Sequence, residues 1–325
     1  MNKYCTYFSF EFLPFGLTLL DSISEHDPGS TVFVLCLDSK TTEYMKCSKY
    51  SKVNIIELRC LENMIPDLLR AKSNRSRTEY FWTLTPCIIY YLLFIKKNCS
   101  CLTYLDADQI FYSSPNPIFN ERNKADITIM PHRFPAKISH LENHGKYNVS
   151  WLTFNKTENS RMCLDWWMNS CLDWCYSKGE SDRYGDQKYL DQFEKKFKNI
   201  HVVRNQGCGL APWNFTEFDY SKKIILLHYQ SMRRLTNFFY SISVPLFENL
   251  NISELKPYFS TLIIQLRSYN QRIHFLESDK SCNFTEDTLI IFQVFNEPYF
   301  ISNHRLIKLI FSLNNLYLRL SFSFS

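Results

Sequence analysis

Leu102-Thr103-Tyr104-Leu105-Asp106-Ala107-Asp108-Gln109-Ile110-Phe111 decides how the chain is read. It has the character of a buried strand that ends in two carboxylates, with Tyr104 a strong strand former. Asp106 and Asp108 are two apart, so on an extended chain they point to one face. Two like charges that close repel, and one keeps its proton unless a cation sits between them. Carboxylate oxygens are hard ligands that suit Mg²⁺, Mn²⁺ or Ca²⁺. A strand-end Asp-x-Asp can therefore hold a divalent ion beside a diphosphate. It can equally be a solvated turn, and the rest of the chain must decide.

Moving outward, residues 31–37 (Thr-Val-Phe-Val-Leu-Cys-Leu) form a continuous apolar run, as in a sheet covered on both sides. Residues 3–9 read as a first strand and 12–25 as a helix with Pro14 in its first turn. A helix at 41–49, a strand at 53–58 and a helix at 62–71 follow. A long apolar helix at 79–97 is expected to start near Pro86. Beyond the Asp-Ala-Asp stretch, strands are expected at 126–130, 147–154, 200–203 and 224–228, and helices at 159–177 and 186–196. This alternation predicts an α/β sheet with helices on both faces. Ligands of such sheets bind at the carboxyl ends of the strands, where Asp106 and Asp108 lie.

Composition removes several alternatives. A chain of 325 residues can bury one large domain or a domain with an appendage. A net charge of +5 with 21% charged residues is too little to argue for nucleic acid. With 7 glycines the chain has neither GxGxxG nor GxxxxGK[ST], so dinucleotide and Walker-type phosphate loops lack their fingerprint. The 12 cysteines form no zinc-like pattern and sit among apolar residues, which suits a reducing compartment. Glu11 interrupts the early apolar run, so no signal peptide is read, and the run from Pro86 to Ile95 is too short to span a bilayer. The expectation is a cytoplasmic protein, soluble or peripheral to a membrane. From about 237 onward the chain turns rich in Phe, Tyr, Ile and Leu, with amphipathic helices expected at 254–276 and 304–320. That sets a domain at 1–236 and a helical extension at 237–325, whose helices could contact a membrane surface.

The order of the remaining motifs carries the argument further. The strand-end Asp-x-Asp is followed by Tyr147-Asn148-Val149-Ser150, then by Gly185-Asp186-Gln187-Lys188-Tyr189-Leu190, then by a strand-end His228. Over residues 3 to 235 this order resembles glycosyltransferase family 8 on the GT-A fold, which includes glycogenins and lipopolysaccharide galactosyltransferases. It is more similar still to an uncharacterised bacterial branch of nucleotide-diphospho-sugar transferases. The shared stretches include Asn74-Arg75-Ser76, Tyr104 to Asp108, Pro131 to Phe134 and Leu210 to Asn214. The resemblance implies that Asp106, Asp108 and His228 hold Mn²⁺ or Mg²⁺, that Asn148 contacts the donor sugar, and that Asp186 and Gln187 face the sugar and its anomeric carbon. The donor implied is a nucleotide diphosphate sugar, with a UDP-sugar favoured; the acceptor could be a glycan, lipid or protein hydroxyl. Retention of configuration is implied as well.

Other residues are read on their own chemistry. Arg75, Arg77 and Lys72 could neutralise phosphate. Phe12 could stack on a base and Thr6 could bond its edge, although family members carry an acidic or amide-bearing stretch where this chain has Thr6 to Phe12. His132 and Arg133 follow a strand end. Trp166, Trp167 and Trp174 are better read as core, and Trp213 as either buried or stacked on a sugar. Two other functions fit parts of the pattern: a nucleotidyltransferase, whose Gly-rich basic loop is absent here, and a degenerate sugar-nucleotide or glycan binding protein without turnover.

Overall fold

The computed structural model describes residues 1–48, 50–97, 99–235, 239–246, 249–273, 288–294 and 297–301. They fall into two compact units: Met1–Leu210 with Glu217–His228, and Ala211–Thr216 with the described part of Tyr229–Ser325.

The first unit begins with β1 (Lys3–Phe8), α1 (Leu13–His26), β2 (Thr31–Cys36), α2 (Ser39–Cys47), β3 (Val53–Glu57), α3 (Leu58–Met64), α4 (Asp67–Asn74) and α5 (Arg77–Tyr90). It continues through β4 (Cys101–Leu105), β5 (Gln109–Phe111), α6 (Asn116–Glu121), β6 (Ile127–Pro131), β7 (Tyr147–Asn155) and α7 (Glu158–Asp173). It closes with α8 (Phe193–Lys196), β8 (Ile200–Val202), β9 (Cys208–Leu210) and β10 (Leu226–His228). Seven strands form the central sheet in the order β3-β2-β1-β4-β7-β6-β8. The run from β3 to β4 is parallel, whereas β7 runs against both β4 and β6. The sheet is therefore mixed. Its apolar strands are covered on both sides, which is why β2 is buried from Val32 to Cys36.

Each face has its own core. On one, Cys5, Leu35, Tyr104 and Leu152 of the sheet pack with Leu84 and Ile88 of α5 and Leu164 and Trp167 of α7. On the other, the Tyr4 ring lies 6.1 Å from Phe111, and Phe111 lies 6.1 Å from Trp151. Helix α1 closes on that second face through Gly16, where a Cβ would overlap the Phe8 ring. The α/β architecture with helices on both faces is the expected one.

Three local expectations are corrected. The helix expected at 62–71 is two, α3 and α4, separated at Ile65-Pro66. The helix expected at 79–97 begins at Arg77, and Pro86 lies inside it. Its start is set by a capping box in which the Ser76 side chain and Glu79 satisfy each other's backbone N–H groups. The proline forfeits one interior bond, and the chain then widens into a π-helical turn at Tyr91–Ile95. The helix expected at 186–196 is a 3-10 turn at Lys188–Gln192 running into the four residues of α8.

Glu79 also reaches beyond its own helix. Its carboxylate accepts the Ser76 N–H and hydroxyl at 2.9 and 2.7 Å, and the Ser177 N–H and hydroxyl at 2.7 and 2.8 Å. Burial alone would raise its pKa; these donors outweigh burial and bring it down to about 2 from 4.5. A carboxylate held down in the folded state stabilises the fold above its unfolded pKa and loses that contribution as pH falls through the folded value. Acid titration of wild type and Glu79→Gln, followed by circular dichroism, is expected to show wild type losing its advantage between pH 4.5 and about 2. Above pH 4.5 the variant is less stable by a constant amount.

The second unit holds β11 (Arg233–Arg234), β12 (Phe239–Ser243), α9 (Ile252–Ile273), β13 (Thr288–Val294) and β14 (Glu297–Ile301). The strands make an antiparallel sheet in the order β11-β12-β13-β14. Helix α9 corresponds to the helix expected at 254–276. It buries Leu255, Phe259, Leu262, Ile263 and Leu266 along one stripe. The Phe259 ring lies 5.3 Å from Tyr229 and 6.2 Å from Phe215. The sheet was not anticipated in a tail read as helical, although Thr288-Leu-Ile-Ile-Phe is rich in β-branched and aromatic residues. The helix expected at 304–320 lies outside the described residues. No described helix is long and apolar enough to cross a membrane.

Candidate metal centre

The Asp-Ala-Asp stretch is a junction between two sheets. Strand β4 ends at Leu105, the Asp106 N–H still reaches the Ser150 carbonyl at 3.3 Å, and residues 106–108 turn out of the central sheet. The chain then enters β5, which pairs antiparallel with β10 and sets Gln109 opposite His228. The stretch is thus two strands and a turn, where sequence reading expected one extended strand. The turn, rather than a two-residue period, brings the carboxylates to a common point.

His228 Nε2 lies 3.1 Å from Asp108 Oδ1 and 3.8 Å from Asp106 Oδ2. One ligand atom from each of Asp106, Asp108 and His228 falls within a span of 4.8 Å. His228 is buried and the two carboxylates are half-buried, so the cluster is open on the carboxylate side. Burial would lower the His228 pKa, but the charges of Asp108 and then Asp106 raise it above the usual value. Asp106 is pushed up to about 6 by burial, with His228 opposing and Asp108 adding to the shift. Two carboxylates that hold a proton between them and an imidazole form a donor set that a divalent cation can take over. Hard oxygens with one imidazole suit Mn²⁺ or Mg²⁺, so these residues could hold such an ion.

Behind Asp106 stands a row of buried hydroxyls. Tyr104 Oη donates to Asp106 Oδ1 at 2.9 Å. The Tyr104 ring lies 5.6 Å from Tyr7, whose hydroxyl interacts with that of Tyr104 and sits 3.0 Å from Thr85 Oγ1. The Thr85 hydroxyl acts electrostatically on Asp186, which is buried. Burial raises Asp186 to about 7, the Thr85 hydroxyl opposes this, and the Asp106 charge adds to it. Its backbone carbonyl accepts the Trp167 indole N–H at 2.9 Å. Tyr104→Phe removes the donor to Asp106 at little cost in volume. Loss of such an outer hydrogen bond is expected to weaken Mn²⁺ binding about 10- to 100-fold, measured by loss of the free-ion EPR signal.

The other expected site residues divide. Asn148 is buried beside a register shift between β6 and β7; its Oδ1 accepts the Ser150 N–H at 2.9 Å and the Ser150 hydroxyl. Its Nδ2 has no hydrogen-bond partner among the described residues, and neither does Thr6 Oγ1. Gln187 is tied by Nε2 to the His144 carbonyl at 2.9 Å. Phe12 lies at the start of α1 with its ring 5.7 Å from Phe15. Arg75 is committed elsewhere: it bonds Thr83 Oγ1 and the carbonyls of Cys171 and Leu172 at 2.8 to 3.0 Å, clamping the end of α7. Lys72 pairs with Glu62 at 2.8 Å and Arg77 with Glu11 at 2.9 Å. Arg133 staples the carbonyls of Cys208, Val203 and Asn205. His132 is buried and neutral, its pKa pushed down to about 3 by desolvation, and it stacks on Phe134 at 4.6 Å. Trp167 is core, and Trp213 is buried.

Tyr104, Tyr7, Thr85 and Gln109 escaped sequence reading. Tyr104 and Gln109 carried a local signal, since one lies two residues before Asp106 and the other directly follows Asp108. Tyr7 and Thr85 meet the site only through pairing of distant elements.

No family model matches the chain. It is 30% identical over 231 residues to the uncharacterised protein YfnF of Bacillus subtilis (strain 168), covering 68% of this chain and 75% of YfnF. It is 29% identical over 210 residues to the uncharacterised protein YfnD of the same organism, covering 64% of this chain and 67% of YfnD. Among solved structures it is similar to the galactosyltransferase LgtC in complex with donor and acceptor sugar analogues. That likeness has a TM-score of 0.48 and 13% identity, over 70% of this chain and 87% of LgtC.

Proposed function

We propose, for a chain that belongs to the family of the uncharacterised Bacillus subtilis protein YfnF, the activity of a metal-dependent glycosyltransferase of the GT-A type. The observation that carries this reading is the convergence of Asp106, Asp108 and His228 at the carboxyl edge of an α/β sheet, with the buried Asp186 close enough to feel the Asp106 charge. The donor is a nucleotide diphosphate sugar, with a UDP-sugar favoured, and the acceptor is a hydroxyl of a glycan, lipid or protein. Catalysis resides in residues 1–236, with 237–325 as an extension, in the cytoplasm.

In this reading Asp106, Asp108 and His228 hold Mn²⁺ or Mg²⁺. A cation held by these residues would supply positive charge against the charge that develops on the leaving nucleoside diphosphate. The protein's own groups set the geometry around it. Tyr104 fixes the rotamer of Asp106. Asn148 offers its unpartnered Nδ2 as a donor to the sugar, because Ser150 holds the other end of its amide. Asp186 has one carboxylate oxygen without a partner among the described residues, able to accept from a sugar hydroxyl. The Gln187 amide stands next to it in the chain, on the side of the anomeric carbon. Transfer proceeds with retention of configuration: these groups orient the donor, the bond from the anomeric carbon to the diphosphate oxygen breaks with its electron pair going to the leaving nucleoside diphosphate, and the acceptor hydroxyl oxygen bonds the anomeric carbon as its proton passes to that leaving diphosphate.

The test is a panel of UDP-, GDP- and other nucleotide sugars incubated with the protein, with Mn²⁺ and with chelator, read by release of nucleoside diphosphate. Metal-dependent release from one donor supports the reading and identifies base and sugar together. Release of nucleoside monophosphate or pyrophosphate points to nucleotidyl transfer instead. Binding of a donor without turnover points to a binding protein. Neither turnover nor metal-dependent binding sinks the site drawn around Asp106.

A further inference from the structure

Gln109 is an anomaly in the protein interior. It is 1% exposed, yet neither its amide oxygen nor its amide nitrogen has a hydrogen-bond partner among the described residues. A buried amide that forgoes both bonds carries a desolvation cost that apolar residues of the same size do not. Such a group needs a reason, and an absent ligand is one of the few that exist.

Its position supplies the reason. Gln109 of β5 is directly opposite His228 of β10 in an antiparallel ladder. Residues paired in this way project from the same face of the sheet, with Cβ atoms about 5 Å apart. His228 uses that face to reach Asp108 and Asp106. Two residues further along β5, Phe111 occupies the same face and packs on Tyr4 and Trp151. The face thus runs from apolar core at Phe111 to the carboxylate cluster at His228, and Gln109 is the polar residue at the changeover. Thr6, two residues beyond Tyr4 on the matching face of β1, also has a hydroxyl with no partner among the described residues.

We propose that Gln109 is a further ligand-contacting residue of the metal centre, its amide oxygen directed to the cation or to water on it and its amide nitrogen donating to a diphosphate oxygen. An amide is suited to this double task, since it presents a hard oxygen and two N–H donors from one planar group. A carboxylate would repel the diphosphate and a lysine would repel the cation. The proposal rests on the reading of the site as a metal and nucleoside diphosphate centre.

The experiment compares wild type, Gln109→Leu, Gln109→Glu and Asp106→Asn. Mn²⁺ binding is followed by loss of the free-ion EPR signal, and binding of UDP or GDP in saturating Mn²⁺ by calorimetry, with melting temperatures alongside. Gln109→Leu is expected to melt no lower than wild type, because it removes an unpartnered polar group, and to bind the nucleotide about tenfold more weakly. Gln109→Glu, nearly isosteric, is expected to tighten Mn²⁺ alone and to weaken the nucleotide, two shifts of opposite sign that a packing role would not produce. If Gln109→Leu does not fold, the split in Gln109→Glu decides alone. Unchanged binding of both probes in the folded variants overturns the assignment of Gln109. Wild-type protein that binds neither Mn²⁺ nor nucleotide, indistinguishable from Asp106→Asn, overturns the metal-centre reading itself.

Discussion

Asp106→Asn, Asp108→Asn protein is expected to release no measurable nucleoside diphosphate in Mn²⁺, with turnover at least about 10³-fold below wild type, while remaining folded. Asparagine preserves the volume of each side chain and can still accept the Tyr104 hydroxyl. What it removes is charge. In the wild-type cluster the His228 proton is favoured only because Asp108 and Asp106 outweigh its burial. An imidazole ligates only in its neutral form in either protein, but one nitrogen with two uncharged amides in place of carboxylates is a poor site for a divalent ion. The change also relieves the repulsion between two half-buried acids, so the folded state keeps its stability. The check pairs nucleoside diphosphate release with the melting temperature. Turnover that survives in the double variant and still responds to chelator would mean the ion sits elsewhere.

Trp167→Ala has the largest expected effect on stability, a loss of about 3–5 kcal/mol, read as the shift in urea midpoint. The indole projects from α7 and is fully buried, edge-on to Phe193 at 5.7 Å and 81°. Truncation leaves a cavity that rigid neighbours cannot refill. It also frees the Asp186 carbonyl from its bond to the indole nitrogen. Trp167→Phe separates the two consequences. It keeps most of the packing and loses the hydrogen bond, so it is expected to cost about 1–2 kcal/mol and to lower turnover more than stability alone explains. Equal stability and turnover in wild type and Trp167→Phe would mean the bond to Asp186 positions nothing.

The legible parts of the site were those whose chemistry is local. Asp106 and Asp108 announce themselves by spacing, whereas His228 was implied only by the resemblance in the order of motifs. Arg75 shows the opposite case. A basic residue in a polar loop reads as a phosphate partner, but its guanidinium fits the free carbonyls at the end of α7, which lie almost a hundred residues along the chain. The unsatisfied carbonyls at the negative end of a helix also attract a guanidinium. Lys72 and Arg77 have carboxylate partners for the same general reason. Pro86 misled because its missing N–H suggests a helix start, whereas the reciprocal bonds of Ser76 and Glu79 decide it.

By itself the sequence determined the α/β class, the covered sheet and the strand that delivers Asp106, because continuous apolar runs and their alternation with amphipathic segments are properties of neighbouring residues. It also determined which residue types could bind a cation. Only the tertiary structure decided that β4 breaks at Leu105 and hands the chain to a second sheet, so that a turn and not a strand aims the carboxylates. Only it decided that β10 lies against β5, which puts His228 and Gln109 side by side. It alone set the Tyr104 hydroxyl on Asp106 and the Tyr7 hydroxyl on Thr85. The physical reason is common to all three. Side-chain chemistry is written in local sequence, but which side chains share a buried space depends on pairings across a hundred residues, chosen by the burial of the whole sheet.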